Sequence, residues 1–319
     1  MRNFVIAVIT AGVFVGLLFF VKVLFLNNVK PQNDTEFPVV SNETEFQKIS
    51  SIPIPLHLTF AGEEVPMKYF DVRERLEREL SVNVFWHSNT FISLKRANRY
   101  FPQISEILKE QGVPDDFKYI SLIESGLTNV VSPSKAVGFW QFLEGTAKEY
   151  GLEVSTEVDE RYHWKKSTIA AGKYFKWLYS KYNSWSLAAA AYNCGRTALN
   201  RQMEIQSHEN YYSLLLPEET ERYLFRAMAF KLIMADPERY GYFLEYSDLY
   251  PYIDTYEVTV AESIPNLAEW AKNRGFTYRE LKYFNPWLRT NSLTVSGESR
   301  YVIELPNENY RNNYTHLMY

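Results

Sequence analysis

From about Phe60 to Tyr246 apolar residues recur at helical spacing, and no strand-like alternation interrupts them. A chain patterned this way folds as packed helices, and its turn residues show where each helix stops. Gln103 to Gln111 places Ile104, Ile107 and Leu108 on one face and ends at Gly112. Pro114 opens the next helix, where its missing N–H costs nothing. On that helix Phe117, Ile120, Ser121 and Glu124 fall at i, i+3, i+4 and i+7, one face, with Gly126 just past the end. Ser167 is the expected N-cap of a helix carrying Ala171, Tyr174, Phe175, Leu178 and Tyr182. Trp185, Ala188, Ala189 and Tyr192 continue the period on a helix that ends at Gly195. A last long helix runs from about Pro217 to Ala235, stopped by Asp236-Pro237.

After Tyr250 the period changes. Thr255 to Val260 alternates as a strand does, Ile264 to Asn273 and Tyr278 to Phe284 read as short helices, and Tyr301 to Leu305 reads as a closing strand. This is a separate β-α-α-β module of about fifty residues.

The first residues set a different constraint. Phe4 to Leu26 is apolar except for small residues and Lys22, and as a helix would span roughly 35 Å, enough to cross a bilayer. We expect an uncleaved membrane anchor; the rival is a cleaved signal peptide, whose apolar core is usually shorter. The polar stretch that follows, rich in Asn, Glu, Pro and Ser, reads as a tether. Arg2, Lys22 and Lys30 are too evenly placed to orient the anchor by charge.

Net charge is −4, which gives no reason to expect a nucleic-acid partner. The single cysteine, Cys194, excludes an intramolecular disulfide and reads as a small buried hydrophobe. His87, His163 and His208 lack paired ligand spacing, so no metal or other cofactor is expected. Aromatic residues make up 16% of the chain, with 24 Tyr, 21 Phe and 7 Trp, more than one core needs. Such rings serve packing, but some can also present flat apolar faces to sugar rings.

Glu124 shares its helical face with Phe117 and Ile120, so its carboxyl points toward packed side chains. Burial raises a carboxyl pKa, as a general acid requires, although a salt-bridged helix-terminal Glu would show the same periodicity. The surrounding motifs separate the two readings. Ile123-Glu124-Ser125-Gly126 is followed by Ser132, Ala136-Val137-Gly138-Phe139-Trp140-Gln141-Phe142, Ala191-Tyr192-Asn193-Cys194-Gly195 and Glu219-Thr220-Glu221-Arg222-Tyr223. In this order and spacing they resemble the soluble-lytic-transglycosylase (goose-lysozyme-like) family, over roughly residues 75 to 240. Two departures are peripheral: Phe139 stands where Leu is usual, and Arg222 is shifted by one place. The C-terminal module resembles a LysM domain through Leu281 and Asn285-Pro286, with Ala261-Glu262-Ser263 replacing the usual turn.

The resemblance implies a mainly α fold, with a lysozyme-like helical catalytic domain, a small LysM-like module and the N-terminal transmembrane helix. The expected boundaries are 1–27 for the anchor, 28–58 for the tether, 59–246 for the catalytic domain and 247–319 for the module and tail. It also implies a peptidoglycan lytic transglycosylase in which Glu124 acts as acid and then base. Ser125, Ser132, Gln141, Tyr192, Asn193 and Tyr223 would line the substrate cleft. Trp140 reads as core, and Glu219 as structural or supporting. Peptidoglycan lies outside the inner membrane, so the catalytic domain would face the periplasm. Two other readings stay open: a hydrolytic muramidase on the same fold, and a catalytically silent glycan-binding protein of the envelope.

Overall fold

The computed structural model describes residues 50–307 and Tyr310. The anchor and most of the tether expected from the sequence lie outside the described residues. No helix among the described residues is long and apolar enough to cross a membrane.

A two-residue hairpin, β1 (Thr59–Phe60) with β2 (Glu63–Glu64), precedes the helices. Then come α1 (Phe70–Phe85), α2 (His87–Glu110), α3 (Lys118–Ser125), α4 (Glu144–Glu149), α5 (Trp164–Tyr182), α6 (Trp185–Cys194), α7 (Arg196–Gln206) and α8 (Glu218–Ala235). Phe117, Ile120, Phe175, Leu178, Ala188, Ala189, Phe225 and Met228 are fully buried and join one hydrophobic core. α3 lies against α2 and α8, and α6 against α5 and α8. Ala188 to Ala191 are buried without exception, because residues this small let neighbouring helices close in on α6.

Two boundaries differ from the sequence expectation. α2 begins at His87 and runs through Pro102, because the burial of Leu94, Ala97, Phe101, Ile104 and Leu108 on one stripe outweighs the backbone bond that Pro102 cannot donate. α5 starts at Trp164, so Ser167 lies within its first turn, buried, its hydroxyl bonded back to the Trp164 carbonyl at 3.2 Å. Asn183, left-handed at φ 49°, ends α5, and the Ser184 hydroxyl caps α6 by accepting from Leu187 N–H.

A second core forms around Leu267, Ala271, Leu281, Trp287, Leu288, Leu293, Ile303 and Leu305. Here β3 (Thr255–Val260) pairs antiparallel with β4 (Tyr301–Pro306), Thr255 opposite Pro306 and Val260 opposite Tyr301. Two helices, α9 (Leu267–Lys272) and α10 (Tyr278–Phe284), cover the ribbon. Asn285, fully buried, explains the asparagine after α10. Its amide donates to the Leu281 carbonyl at 3.0 Å and the Glu304 carbonyl at 2.6 Å, and accepts from Glu304 N–H at 2.8 Å. One side chain thereby joins α10 to β4.

Between α3 and α4 the chain forms no helix. Residues 130–142 fold into a loop held by bridges Val131–Val137 and Val137–Phe142, with Lys135, Gly138 and Gln141 all at positive φ. Gly138 has φ 81°, and a Cβ there would stand 2.0 Å from the Arg161 carbonyl oxygen. Both the conformation and the space demand glycine. Gly138→Ala is expected to destabilise the fold by about 3 kcal/mol, measured by denaturant unfolding, since neither backbone can yield cheaply.

Candidate active site

Glu124 occupies the last turn of α3, which Gly126 ends in the left-handed conformation at φ 60°. Its carboxyl opens onto a cleft of about 410 Å³ between α1, α2, α3 and α8. The Tyr223 hydroxyl, from the second turn of α8, donates a short hydrogen bond to Glu124 Oε1. Burial pushes the Glu124 carboxyl up to about 7; the Tyr223 hydrogen bond and the Arg226 charge oppose that rise, and the charge of Glu219 adds to it. Burial, with the Glu124 charge adding to it, raises the Tyr223 and Tyr192 phenols well above their ordinary value, so both stay protonated as donors.

The motif residues are fastened to one another in a closed circuit. Ser125 Oγ donates to the Phe139 carbonyl at 3.0 Å, tying α3 to the 130–142 loop. The next carbonyl, that of Trp140, accepts from the Tyr192 hydroxyl at 2.5 Å, tying the loop to α6. Asn193 Oδ1 accepts from Thr220 Oγ1 at 2.7 Å, tying α6 to α8. Tyr223 returns from α8 to Glu124. Trp140 itself is buried, its indole N–H donating to Thr168 Oγ1 at 2.8 Å.

The remaining expected site residues shape the loop. Gln141 Nε2 donates to the Gly138 carbonyl at 2.8 Å and to the Val130 carbonyl at 3.1 Å. Ser132 Oγ accepts from Ala136 N–H at 3.0 Å. Of the expected residues, Glu124 and Ser125 line the cleft itself, while Ser132, Gln141, Tyr192, Asn193 and Tyr223 stand behind or beside it, bonded as described.

The cleft also contains residues that sequence reasoning did not single out. Trp86, the one residue between α1 and α2, is 58% exposed on its rim. That corner is pinned where Asn83 O accepts from Thr90 Oγ1 at 2.6 Å and Val84 O accepts from the Tyr242 hydroxyl at 2.8 Å. Arg96 donates to the Gly126 carbonyl at 3.0 Å and Arg226 to the Ile123 carbonyl at 2.9 Å. Both cap the C-terminal end of α3, where cations are favoured. Glu79, the other carboxylate lining the cleft, is 1% exposed and held by Arg222 and Arg78, each at 2.7 Å. No periodicity or motif in the sequence marks this wall, because its residues meet only in the packed fold.

A larger open groove of about 850 Å³ lies elsewhere, among Glu106, Lys109, Asp115, Tyr179 and Trp185. Although burial pushes Asp115 up, hydrogen bonds from Lys118 and Ser105 outweigh it and hold the carboxyl low. An acid kept ionised is no proton donor near neutral pH, in contrast to the raised carboxyl of Glu124. Among the described residues no group of three His, Cys, Asp or Glu is placed to hold a metal ion. His163 is half-buried, stacked on Trp287 at 6.1 Å and pushed down to about 3, first by loss of water around the ring and then by Lys166 and Lys165.

Residues 102–215 match the family described as "Transglycosylase SLT domain", and residues 256–309 match "Soluble lytic transglycosylase C-terminal LysM-like domain". The chain is 26% identical over 247 residues to "Membrane-bound lytic murein transglycosylase D" of Escherichia coli K12, covering 75% of this chain and 53% of that protein. It is 29% identical over 108 residues to a "Putative tributyltin chloride resistance protein" of an Alteromonas strain, covering 33% and 52%. The chain thus spans about half the length of the curated relatives it matches. The crystal structure of the 70 kDa soluble lytic transglycosylase of Escherichia coli overlaps 60% of this chain and 33% of its own, at 14% identity and a TM-score of 0.38.

A raised carboxyl pKa has a consequence for stability. Between its ordinary value near 4.5 and about 7, Glu124 is protonated in the folded chain and ionised in the unfolded one. The folded state therefore loses stability as pH rises through this window, and the loss is complete above about 7. Glu124→Gln cannot ionise and should gain stability relative to the parent as pH rises. The difference in Tm should be larger at pH 8 than at pH 5 in thermal unfolding followed by circular dichroism.

Proposed function

We propose that this chain, which carries a transglycosylase SLT domain and a LysM-like domain, cleaves the β-1,4 bond between N-acetylmuramic acid and N-acetylglucosamine in peptidoglycan, without water, leaving 1,6-anhydromuramic ends. The observation that carries the proposal is one carboxyl raised to about 7, in an open cleft and bonded to a tyrosine that stays protonated. At that pKa Glu124 is substantially protonated near neutral pH and can give its proton to the glycosidic oxygen as the bond to C1 breaks. The carboxylate left behind keeps the Tyr223 hydrogen bond and has Arg226 nearby, both of which favour its charge. It then takes the proton of the muramic C6 hydroxyl, whose oxygen closes onto C1 and restores the acid.

A hydrolytic glycosidase ordinarily needs a second carboxylate, as base or nucleophile. Glu79, the other carboxylate lining the cleft, is locked between two arginines and is poorly placed to move a proton. Glu219 is exposed, 3.5 Å from the Asn193 amide, and its charge reaches Glu124. It is the residue that the hydrolytic alternative would recruit. The substrate's own C6 hydroxyl makes that second group unnecessary.

We further infer that the segment Phe4 to Leu26 anchors the chain in the inner membrane with the catalytic domain in the periplasm. The Escherichia coli relative is named as a membrane-bound enzyme, which supports this reading. The LysM-like module would add affinity for N-acetylglucosamine-containing strands.

Digestion of purified peptidoglycan followed by mass spectrometry tests the reaction. Anhydro-muropeptides are expected, one water lighter than hydrolytic products; reducing ends would instead establish a muramidase, and no release a binding protein. Glu124→Gln should abolish release while the far-ultraviolet dichroism is kept, and retained activity would remove Glu124 from the mechanism. Because the reaction begins with protonated Glu124, kcat/KM should fall as pH rises above about 7.

A further inference from the structure

The cleft that Glu124 lines has an uneven charge balance. Its ionisable residues are Glu79, Arg96, Glu124, Arg222 and Arg226. Arg222 and Glu79 neutralise each other. Among the described residues neither Arg96 nor Arg226 meets a carboxylate at ion-pair distance, and each has one hydrogen bond, to a backbone carbonyl at the end of α3. A guanidinium carries five N–H donors, so capping that helix uses a fraction of what each offers. Two guanidiniums without an ion pair among the described residues stand out in one cleft of a chain of net charge −4. Capping explains their position, but it does not require two arginines opening onto the space beside the acid.

We propose that Arg96 and Arg226, with Trp86 at the rim, bind the carboxylates of the stem peptide carried by the muramic acid being cut, so that strands bearing peptides are preferred over bare glycan. This rests on reading the Glu124 cleft as a peptidoglycan site. The muramic ring must present its C1 and C6 groups to Glu124, which places its lactyl substituent against one wall of the same cleft. A planar guanidinium suits a carboxylate partner, since it can offer two parallel N–H bonds. Trp86 gives the exposed rim a flat apolar face on which a sugar or the aliphatic part of a peptide can lie. An attraction between partly exposed charges also weakens with salt, so the preference should shrink as ionic strength rises.

Arg96 is the residue to alter, because Arg226 acts on the Glu124 carboxyl and Arg96 is not among the causes of its shift. The full chain, in detergent, is given glycan strands with stem peptides and the same strands stripped of peptide by an amidase. The parent should favour the first substrate, and Arg96→Gln, which removes the cation, should reduce that preference about tenfold through KM. Arg96→Lys, which keeps the cation, should retain most of it. A parent without preference, or an Arg96→Gln variant that slows both substrates equally, overturns the proposal. Calorimetric binding of soluble peptide-bearing and peptide-free fragments is measured alongside turnover. Absence of turnover would then count against the proposed reaction, while the difference in affinity still decides the role of the arginine wall.

Discussion

Four hydrogen bonds join Glu124, the loop after it, α6 and α8 into one circuit, and the candidate site depends on that circuit being closed. Each bond uses a side chain from one motif and an acceptor from the next: Ser125 to Phe139, Tyr192 to Trp140, Thr220 to Asn193 and Tyr223 to Glu124. Three of the donors are buried hydroxyls, and a buried hydroxyl left unpaired costs about 1–3 kcal/mol. Removing any one group therefore leaves a partner stranded in the interior as well as losing a contact. The short motifs that are scattered over a hundred residues of sequence are, in space, consecutive links around one carboxyl.

Opposing effects meet at that carboxyl and leave it partly protonated near neutral pH while it still lines an open cleft. The end of α3 is a poor place for a negative charge, since the helix dipole is negative there and burial removes water. Arg96 and Arg226 occupy the same helix end and bond to its carbonyls, and Arg226 draws the Glu124 pKa back down. The result near 7 is a balance. With burial alone the acid would be too weak to release its proton readily, and with a direct ion pair it would be ionised and useless as a donor.

Much of this was legible in the sequence because it depends on local chemistry. Gly126 and Gly195 end their helices as their positions suggested, and α10 and β3 fall on the segments where periodicity placed them. Tyr192 and Tyr223 were expected in the substrate cleft; in the fold their hydroxyls are bonded to the circuit, a distinction that no spacing rule can express. The loop at 130–142 was unreadable as structure, because its positive-φ residues include Lys135 and Gln141, which take that conformation only under tertiary constraint. Trp86, between α1 and α2, and Arg96, on α2, lie ahead of the motifs and join the Glu124 cleft only through the packing of those helices on α3 and α8. Pro102 shows the reverse case, a local helix-breaking signal overruled by a continuous buried stripe.

The C-terminal module is bound to the helical part along the strip from Glu157 to Asp159. Val158 bridges to Leu288 and belongs to the module's own core, while Asp159 N–H donates to the Trp287 carbonyl at 2.9 Å and Arg289 N–H to the Glu157 carbonyl at 2.7 Å. Glu157 accepts from the Ser292 hydroxyl and from Thr294 N–H, two hydrogen bonds that hold its carboxylate low. Two residues on, Asp159 pairs with buried Arg161 at 2.7 Å, and Arg161 donates to the carbonyls of Lys135 and Phe142, within and at the end of the 130–142 loop. The strip from Glu157 to Arg161 thus faces the module on one side and the loop on the other. A buried arginine satisfied by both a carboxylate and two carbonyls cannot shift without leaving a charge unpaired. The module is therefore joined, through one five-residue strip, to the same loop whose Phe139 and Trp140 carbonyls complete the circuit around Glu124.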